Sequence, residues 1–120
     1  MKTDKLFYDE FHLAGCQYWD VTEAWDKLRI GLKVKLEREM DNRYDPDAIA
    51  VLLPCTDDEE DKEFYKLGYV PRSHNGDLAK LLEMGWDNIF ECRISKISPE
   101  QHYENQIRMT LKIKRNKMGL

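Results

Sequence analysis

An amide, an aromatic ring and several carboxylates are concentrated in one short stretch, Glu39 to Asp47. Asn42 can donate and accept hydrogen bonds, the Tyr44 ring can stack, and the Asp45 carboxylate can accept hydrogen bonds from hydroxyl or amide groups. Glycine, asparagine and serine alone would suffice for a turn, so this combination indicates a ligand-binding surface. The alternative is that Asn42 and Asp45 only stabilise the turn and that Tyr44 packs on the core.

Catalysis is not indicated by these residues. Asp41, Asp45 and Asp47 are close in sequence, but a turn directs their side chains apart, and no activated nucleophile accompanies them. His12 and Cys16 have metal-ligand spacing only on a helix, and the local pattern is not helical. We therefore expect no enzyme activity, no metal and no cofactor.

Two strand-like runs must position this stretch. Leu32 to Arg38 alternates apolar and charged residues, which is typical of a half-buried strand. Ile49 to Leu53 is almost entirely apolar, as in a strand buried on both faces. Asp45 precedes Pro46, which disfavours helix at that point. The sequence therefore predicts two strands joined by a turn that carries the polar residues.

The rest of the chain is predicted to be mostly β. One helix is expected over Gly76 to Met84, capped by Ser73 or Asn75 and ended by Gly85. A short helix near Thr22 to Trp25, or an irregular loop, is also expected. Further strands are predicted at Leu6–Leu13, Phe64–Val70, Ile89–Ile97 and Ile107–Lys114. These elements indicate one domain over residues 1–120, with a core at about 6–115, folded as a small OB-like β-barrel of about six strands and one or two short helices.

The charge of the chain argues against binding nucleic acid by bulk electrostatics, because the net charge of the 120 residues is −4. The acidic run Asp57 to Glu63 is interpreted as a flexible connector between strands. The basic tail Lys112 to Lys117 is interpreted as the end of an amphipathic edge strand, whose lysines discourage pairing with other sheets. A nucleic-acid contact by that tail is the alternative.

Cellular location is predicted from what the sequence lacks. No apolar run approaches the length of a membrane span, and the N-terminus leads into no signal-peptide core. Cys16, Cys55 and Cys92 are odd in number and widely spaced, which favours reduced thiols. We expect a cytoplasmic protein that does not contact a membrane.

Three motifs together resemble those of the HIRAN domain. They are Gly15-Cys16-Gln17-Tyr18-Trp19, then Leu36-x-Arg38-Glu39-x-x-Asn42-x-Tyr44-Asp45-x-x-Ala48-Ile49-x-Val51, then Leu67-Gly68-Tyr69-Val70-Pro71-Arg72. The resemblance spans roughly Phe7 to Ile113. It implies an OB-like barrel that recognises the 3′-hydroxyl end of single-stranded DNA, in DNA repair or replication-fork processing. A helicase-like or other DNA-processing protein is the implied partner, and this chain resembles the stand-alone bacterial members.

The resemblance also implies roles for single residues. Tyr18 matches an aromatic residue that stacks on a base near the strand end, and alternation predicts that one of Tyr18 and Trp19 is exposed, namely Tyr18. Gln17 stands where the DNA-binding relative has an arginine, so one phosphate contact loses its charge. Tyr69 and Arg72 stand where that relative has a histidine and a lysine, and Arg72 could hold a phosphate.

Four further positions complete the implied interface. Asn42 suits a base edge or a phosphate oxygen, Tyr44 matches a position that packs beside the terminal nucleotide, and Tyr103 aligns with a further aromatic. Asp45 would accept a hydrogen bond from a terminal hydroxyl. It would repel a phosphate by about 4 kcal/mol for two isolated charges 4 Å apart at an effective dielectric constant of 20. The alternative function is a peptide-interaction barrel without nucleic-acid binding, using the same aromatic surface or an open barrel edge.

Overall fold

Six antiparallel strands and two α-helices form the part of the chain that the structure describes. The structure is a computed structural model, and it describes residues 3–58, 60 and 63–116. The strands are β1 Lys5–His12, β2 Lys33–Arg38, β3 Ile49–Pro54, β4 Phe64–Tyr69, β5 Phe90–Ile97 and β6 Ile107–Lys114. The helices are α1 Val21–Ala24 and α2 Arg72–Glu83, with 3-10 turns at Cys16–Tyr18, Trp25–Lys27, Asp87–Ile89 and Tyr103–Asn105. The mostly β fold is confirmed, and each strand begins and ends within one residue of its predicted bounds.

The six strands form one sheet of OB-like architecture that is not closed by strand pairing, although an isolated bridge links its two ends. Its strand order is β1-β6-β5-β2-β3-β4, so β1 and β4 are the edges. The chain just after β1 meets β4 where Ala14 and Tyr69 exchange backbone hydrogen bonds of 2.9 and 2.8 Å. A side chain at Gly68 has no room there, because a Cβ atom would lie 2.4 Å from the Ala14 carbonyl oxygen. The fold therefore depends on a glycine at this bridge.

The core explains the two patterns read from the sequence. Residues 49–53 of β3 are all buried, as expected for a strand covered on both faces. Helix α2 contributes Leu78 and Ala79 to the same core. Gly85 ends this helix with φ +89°, and its backbone N–H donates to the Leu82 carbonyl.

Two predictions about elements were wrong. Helix α2 begins at Arg72, four residues before the predicted start, because Pro71 precedes it with φ −59° and directs the chain into the helix. No side chain caps it, and Asn75 is a buried helical residue. Strand β6 is not an edge, since it pairs with both β1 and β5. The alternation of its lysines reflects one solvent-facing side of a central strand.

The acidic run joins β3 to β4, as predicted, but Glu59, Asp61 and Lys62 lie outside the described residues, as does Lys117 of the basic tail. Among the described residues, no helix is long and apolar enough to cross a membrane.

Candidate nucleic-acid interface

Asn42 organises the turn between β2 and β3, which we call the corner turn (residues 39–48). Its Oδ1 accepts hydrogen bonds from the backbone N–H groups of Tyr44 (2.9 Å) and Asp45 (3.1 Å). Its Nδ2 donates to Glu39 Oε1 at 3.1 Å. The turn-stabilising alternative for Asn42 is therefore present in the structure, and one Nδ2 hydrogen remains for any ligand.

Asp45 is held by three groups from two elements. Its Oδ1 accepts from the backbone N–H of Asp47 (2.9 Å), and its Oδ2 accepts from Nδ2 of Asn75 (2.8 Å). Asn75 is only 3% exposed, so helix α2 presents a buried amide to the corner turn. Arg72 Nε lies 3.7 Å from the same Oδ2. The side chain of Asp45 is 18% exposed, and a carboxylate with two hydrogen bonds can still accept more.

Tyr44 combines a fixed backbone with an exposed ring. Its N–H is held by Asn42, and its carbonyl oxygen accepts a hydrogen bond from Arg72 Nη2. The residue is nevertheless 86% exposed. The alternative in which Tyr44 packs on the core is therefore wrong, because the turn directs its ring outward. Because its backbone is held, no backbone ordering is needed when a flat partner stacks on the exposed ring.

A polar and aromatic cluster lies beside the corner turn. Tyr69 Oη donates to Glu39 Oε1 at 2.9 Å and accepts from Lys66 Nζ at 3.1 Å. Lys66 Nζ also lies 4.0 Å from the centroid of the Trp19 ring. The rings of Trp19 and Tyr69 meet edge to face, with centroids 6.0 Å apart. These contacts fix both rings and leave Lys66 paired with Glu39.

The protonation of this cluster follows from its contacts. Burial opposes ionisation of Glu39, but hydrogen bonds from Lys66, Asn42 and Tyr69 outweigh it and lower the pKa of Glu39. Burial likewise disfavours the charged form of Lys66, yet its bonds to Glu39 and Tyr69 raise its pKa. Burial raises the pKa of Tyr69. At neutral pH the cluster is an ion pair with a neutral phenol, which offers no net positive charge to a phosphate.

These side chains form an open cavity of about 300 Å³ that we call the corner groove. It lies at the isolated bridge, where β4 meets the chain after β1. Five predicted interface residues thus share one site with Trp19. The groove is lined by Ala14, Gly15, Trp19, Asn42, Tyr44, Asp45, Ala48, Tyr69, Val70 and Arg72.

The other predicted residues lie outside the lining of this groove. Gln17 and Tyr18 are in the 3-10 turn that follows Gly15, and Tyr18 is 77% exposed. Cys16 Sγ donates to the Tyr103 carbonyl oxygen at 3.1 Å, so the turn that holds Tyr103 lies beside them. Gln17, Tyr18 and Tyr103 therefore form a flank to the groove.

Trp19 is the groove residue that the sequence reasoning left out. The expectation that only one of Tyr18 and Trp19 is exposed assumed the alternation of a strand, but this segment is a 3-10 turn. Both residues are exposed, Trp19 at 42%. Gly15, four residues earlier, was the available signal, because a glycine can redirect the chain, and in the structure it does so with φ +67°.

The thiols of Cys16 and Cys92 are buried. Burial raises the pKa of Cys16, and it raises the pKa of Cys92 to about 12, so neither is a reactive thiolate at neutral pH. In the described residues, no three histidine, cysteine or acidic side chains are grouped so that they could hold a metal ion.

An OB-like barrel with exposed rings in a groove defines a class of small binding module that accepts extended ligands on its surface. The chain belongs to the HIRAN domain family, whose family model matches residues 7–114. This match confirms the resemblance read from the motifs. The HIRAN domain is a nucleic-acid-binding module.

Two solved structures share this fold. A crystal structure of a protein from Lactobacillus plantarum has a TM-score of 0.73 at 24% identity, covering 93% of this chain and 97% of that one. The crystal structure of the HIRAN domain of human HLTF has a TM-score of 0.56 at 18% identity, covering 96% of this chain and 84% of that domain. A search of curated protein sequences finds no match for this chain.

Proposed function

We propose that the corner groove binds the 3′-hydroxyl end of single-stranded DNA, in the setting of DNA repair or replication-fork processing. The observation that carries this proposal is Tyr44, whose backbone is held at both its N–H and its carbonyl while its ring is 86% exposed. A base stacked on such a ring contributes about 1–3 kcal/mol without regard to sequence. A helicase-like or other DNA-processing protein is the partner that the family relationship favours.

Asp45 and Arg72 supply the recognition of the strand end. A terminal hydroxyl donates to Asp45, and Arg72, which is exposed and projects from the start of α2, holds the preceding phosphate. The guanidinium beside Asp45 reduces the repulsion that a phosphate meets there. The preference for a hydroxyl over a phosphate end is therefore smaller than the isolated-charge value of about 4 kcal/mol.

The other predicted contacts extend the path of the strand. Tyr18 and Tyr103 on the flank offer rings to the next bases. Gln17, which is uncharged, contacts the sugar-phosphate backbone of the strand. Asn42 and Tyr69 act mainly through the geometry of the groove, because their polar atoms are engaged with Glu39 and the corner turn.

Binding of short labelled oligonucleotides, measured by fluorescence anisotropy, tests this function. Oligonucleotides that end in a 3′-hydroxyl should bind more tightly than those that end in a 3′-phosphate, and Asp45→Asn should reduce that preference. Glu100→Gln, an exposed acid outside the groove, is the matched control. Equal affinity for the two kinds of 3′ end would show that Asp45 does not recognise the terminal hydroxyl. If neither oligonucleotide binds at micromolar concentration, the result would support the alternative function, a peptide-interaction module.

A further inference from the structure

A second groove opens where strands β2 and β5 separate. The two strands pair only at Lys33 with Arg93 and at Val34 with Cys92. Beyond Val34, β2 continues alongside β3, while β5 continues alongside β6. The opening, which we call the strand-gap groove, has a volume of about 470 Å³. It does not share a lining residue with the corner groove.

One edge of this groove is backbone that lacks a strand partner. Ile94 N–H donates to the Leu32 carbonyl at 2.9 Å, so alternation turns the backbone of Val34 and then Leu36 toward β5. On the other side of β2, Glu39 N–H donates to the Ala48 carbonyl, so Leu36 faces away from β3. Continuing the register would put Phe90 opposite Leu36, but in the described residues β2 and β5 do not pair beyond Val34. The N–H and carbonyl of Leu36 thus present the pattern that an added strand needs.

The groove is lined by both apolar and basic side chains. Leu36, Leu82, Phe64 and Phe90 supply apolar surface, and Lys35 Nζ lies 5.2 Å from the centroid of the Phe64 ring. Three lysines line the groove against a single carboxylate, that of Asp87. The lysines are Lys33, Lys35 and Lys114.

We infer that the strand-gap groove binds an extended acidic peptide of a partner protein. Its main chain pairs with Leu36, its alternate apolar side chains enter the groove, and its carboxylates meet Lys33 and Lys35. Charge complementarity selects an acidic ligand. The strand edge selects a peptide over a nucleic acid, because a nucleic acid has no backbone N–H to pair with the Leu36 carbonyl.

The test uses a fluorescein-labelled peptide in which leucine or valine alternates with aspartate. Two control peptides have lysine in place of aspartate, or methyl groups on alternate backbone nitrogens. The acidic peptide should bind the unmodified protein, and both controls should bind at least about fivefold more weakly. Because these arms use the unmodified protein, they do not depend on the folding of a variant.

Paired variants locate the binding. Lys33→Glu with Lys35→Glu should weaken binding about fivefold to tenfold, because two attractions become repulsions. Lys96→Glu with Lys112→Glu makes the same charge change at exposed lysines outside the groove and should change binding less than about twofold. Equal weakening by both pairs, or equal binding of the basic peptide, would overturn the inference. Displacement of the peptide by an oligothymidylate would also overturn it and assign the groove to nucleic acid.

Discussion

The corner groove and the strand-gap groove differ in how far their polar groups are already satisfied. In the corner groove, Asp45 is bonded to Asn75 and lies beside Arg72, and Glu39 is bonded to Lys66. In the strand-gap groove, the backbone of Leu36 faces an opening, and three lysines face one carboxylate. A site whose charges are paired recognises a ligand by stacking and by short-range hydrogen bonds, with little long-range electrostatic attraction. A site with unmatched charge and an open strand edge recognises it by electrostatics and main-chain pairing.

The two sites also depend on different parts of the barrel. The corner groove lies at the bridge between Ala14 and Tyr69, whereas the strand-gap groove lies where β2 and β5 separate inside the sheet. A change at the bridge should therefore weaken oligonucleotide binding more than peptide binding, which makes the comparison testable.

The largest effect is expected from Gly68→Ala. The new Cβ atom would lie 2.4 Å from the Ala14 carbonyl oxygen, so the backbone at the bridge must move. We expect a loss of about 2–4 kcal/mol in the free energy of unfolding, measured with urea. Oligonucleotide affinity should fall sharply, while the affinity for the acidic peptide should change much less.

Gly76→Ala is the matched control for this change. It lies in α2, where a Cβ atom meets nothing within 4 Å. Alanine favours helix, so stability should rise by about 0.5–1 kcal/mol. The proposal that the two grooves depend on different parts of the barrel would be contradicted by either of two results. One is an unchanged free energy of unfolding for Gly68→Ala, and the other is a larger loss of peptide affinity than of oligonucleotide affinity.

The next effect is expected from Tyr44→Ala. Removing the exposed ring should weaken oligonucleotide binding by about 1–3 kcal/mol, or roughly fivefold to 150-fold. Because the ring is solvent-exposed, the free energy of unfolding should change by less than about 0.5 kcal/mol. Peptide binding should stay the same. Tyr18→Ala, on the flank, should have a smaller effect on the oligonucleotide, and a larger one would place the main stacking site there.

The sequence was sufficient to predict the strands and the polar corner turn, since alternation and the Asp45-Pro46 pair act locally. It could not reveal that Asn75, expected as a helix cap, donates instead to Asp45. That contact joins residues 30 positions apart and depends on how α2 packs against the turn. The place of Trp19 in the groove was missed for a similar reason, since its ring is positioned by Lys66 and Tyr69 of β4.

The strand-gap groove was even less predictable. Both strands that bound it were found in the sequence, and an open barrel edge was considered only as a general possibility for peptide binding. Their separation after Val34 depends on each strand preferring a different neighbour, β3 for one and β6 for the other. Pairing between distant strands is a property of the whole barrel, and no local pattern encodes it.

A third effect concerns acid stability on the β5 side of the barrel. Hydrogen bonds from Lys5 and Arg93 lower the pKa of Glu91 from 4.5 to about 2. A lowered folded-state pKa stabilises the fold fully above pH 4.5, and that stabilisation is lost as the pH falls toward 2. Glu91→Gln should therefore cost on the order of 1–2 kcal/mol at pH 7, with allowance for solvent screening at the exposed Lys5.

The measurement is urea unfolding between pH 7 and pH 2. The difference between the unmodified protein and Glu91→Gln should shrink as the pH falls through this range. Glu100→Gln is the control and should follow the unmodified protein. A constant difference across the range would show that the substitution acts through packing and not through the charge of Glu91.

The smallest predicted effect is the dependence of oligonucleotide affinity on salt concentration, which distinguishes the two grooves. A single-stranded ligand held through one or two phosphates should bind with a slope of log affinity against log salt of about −0.7 to −1.4. Between 50 and 200 mM salt, its affinity should therefore fall only about threefold to sevenfold. The Arg72–Asp45 contact keeps this slope small, because the arginine charge is already partly matched. A slope steeper than about −3 would mean that the strand extends onto further cations, and the lysines of the strand-gap groove would then be the first candidates.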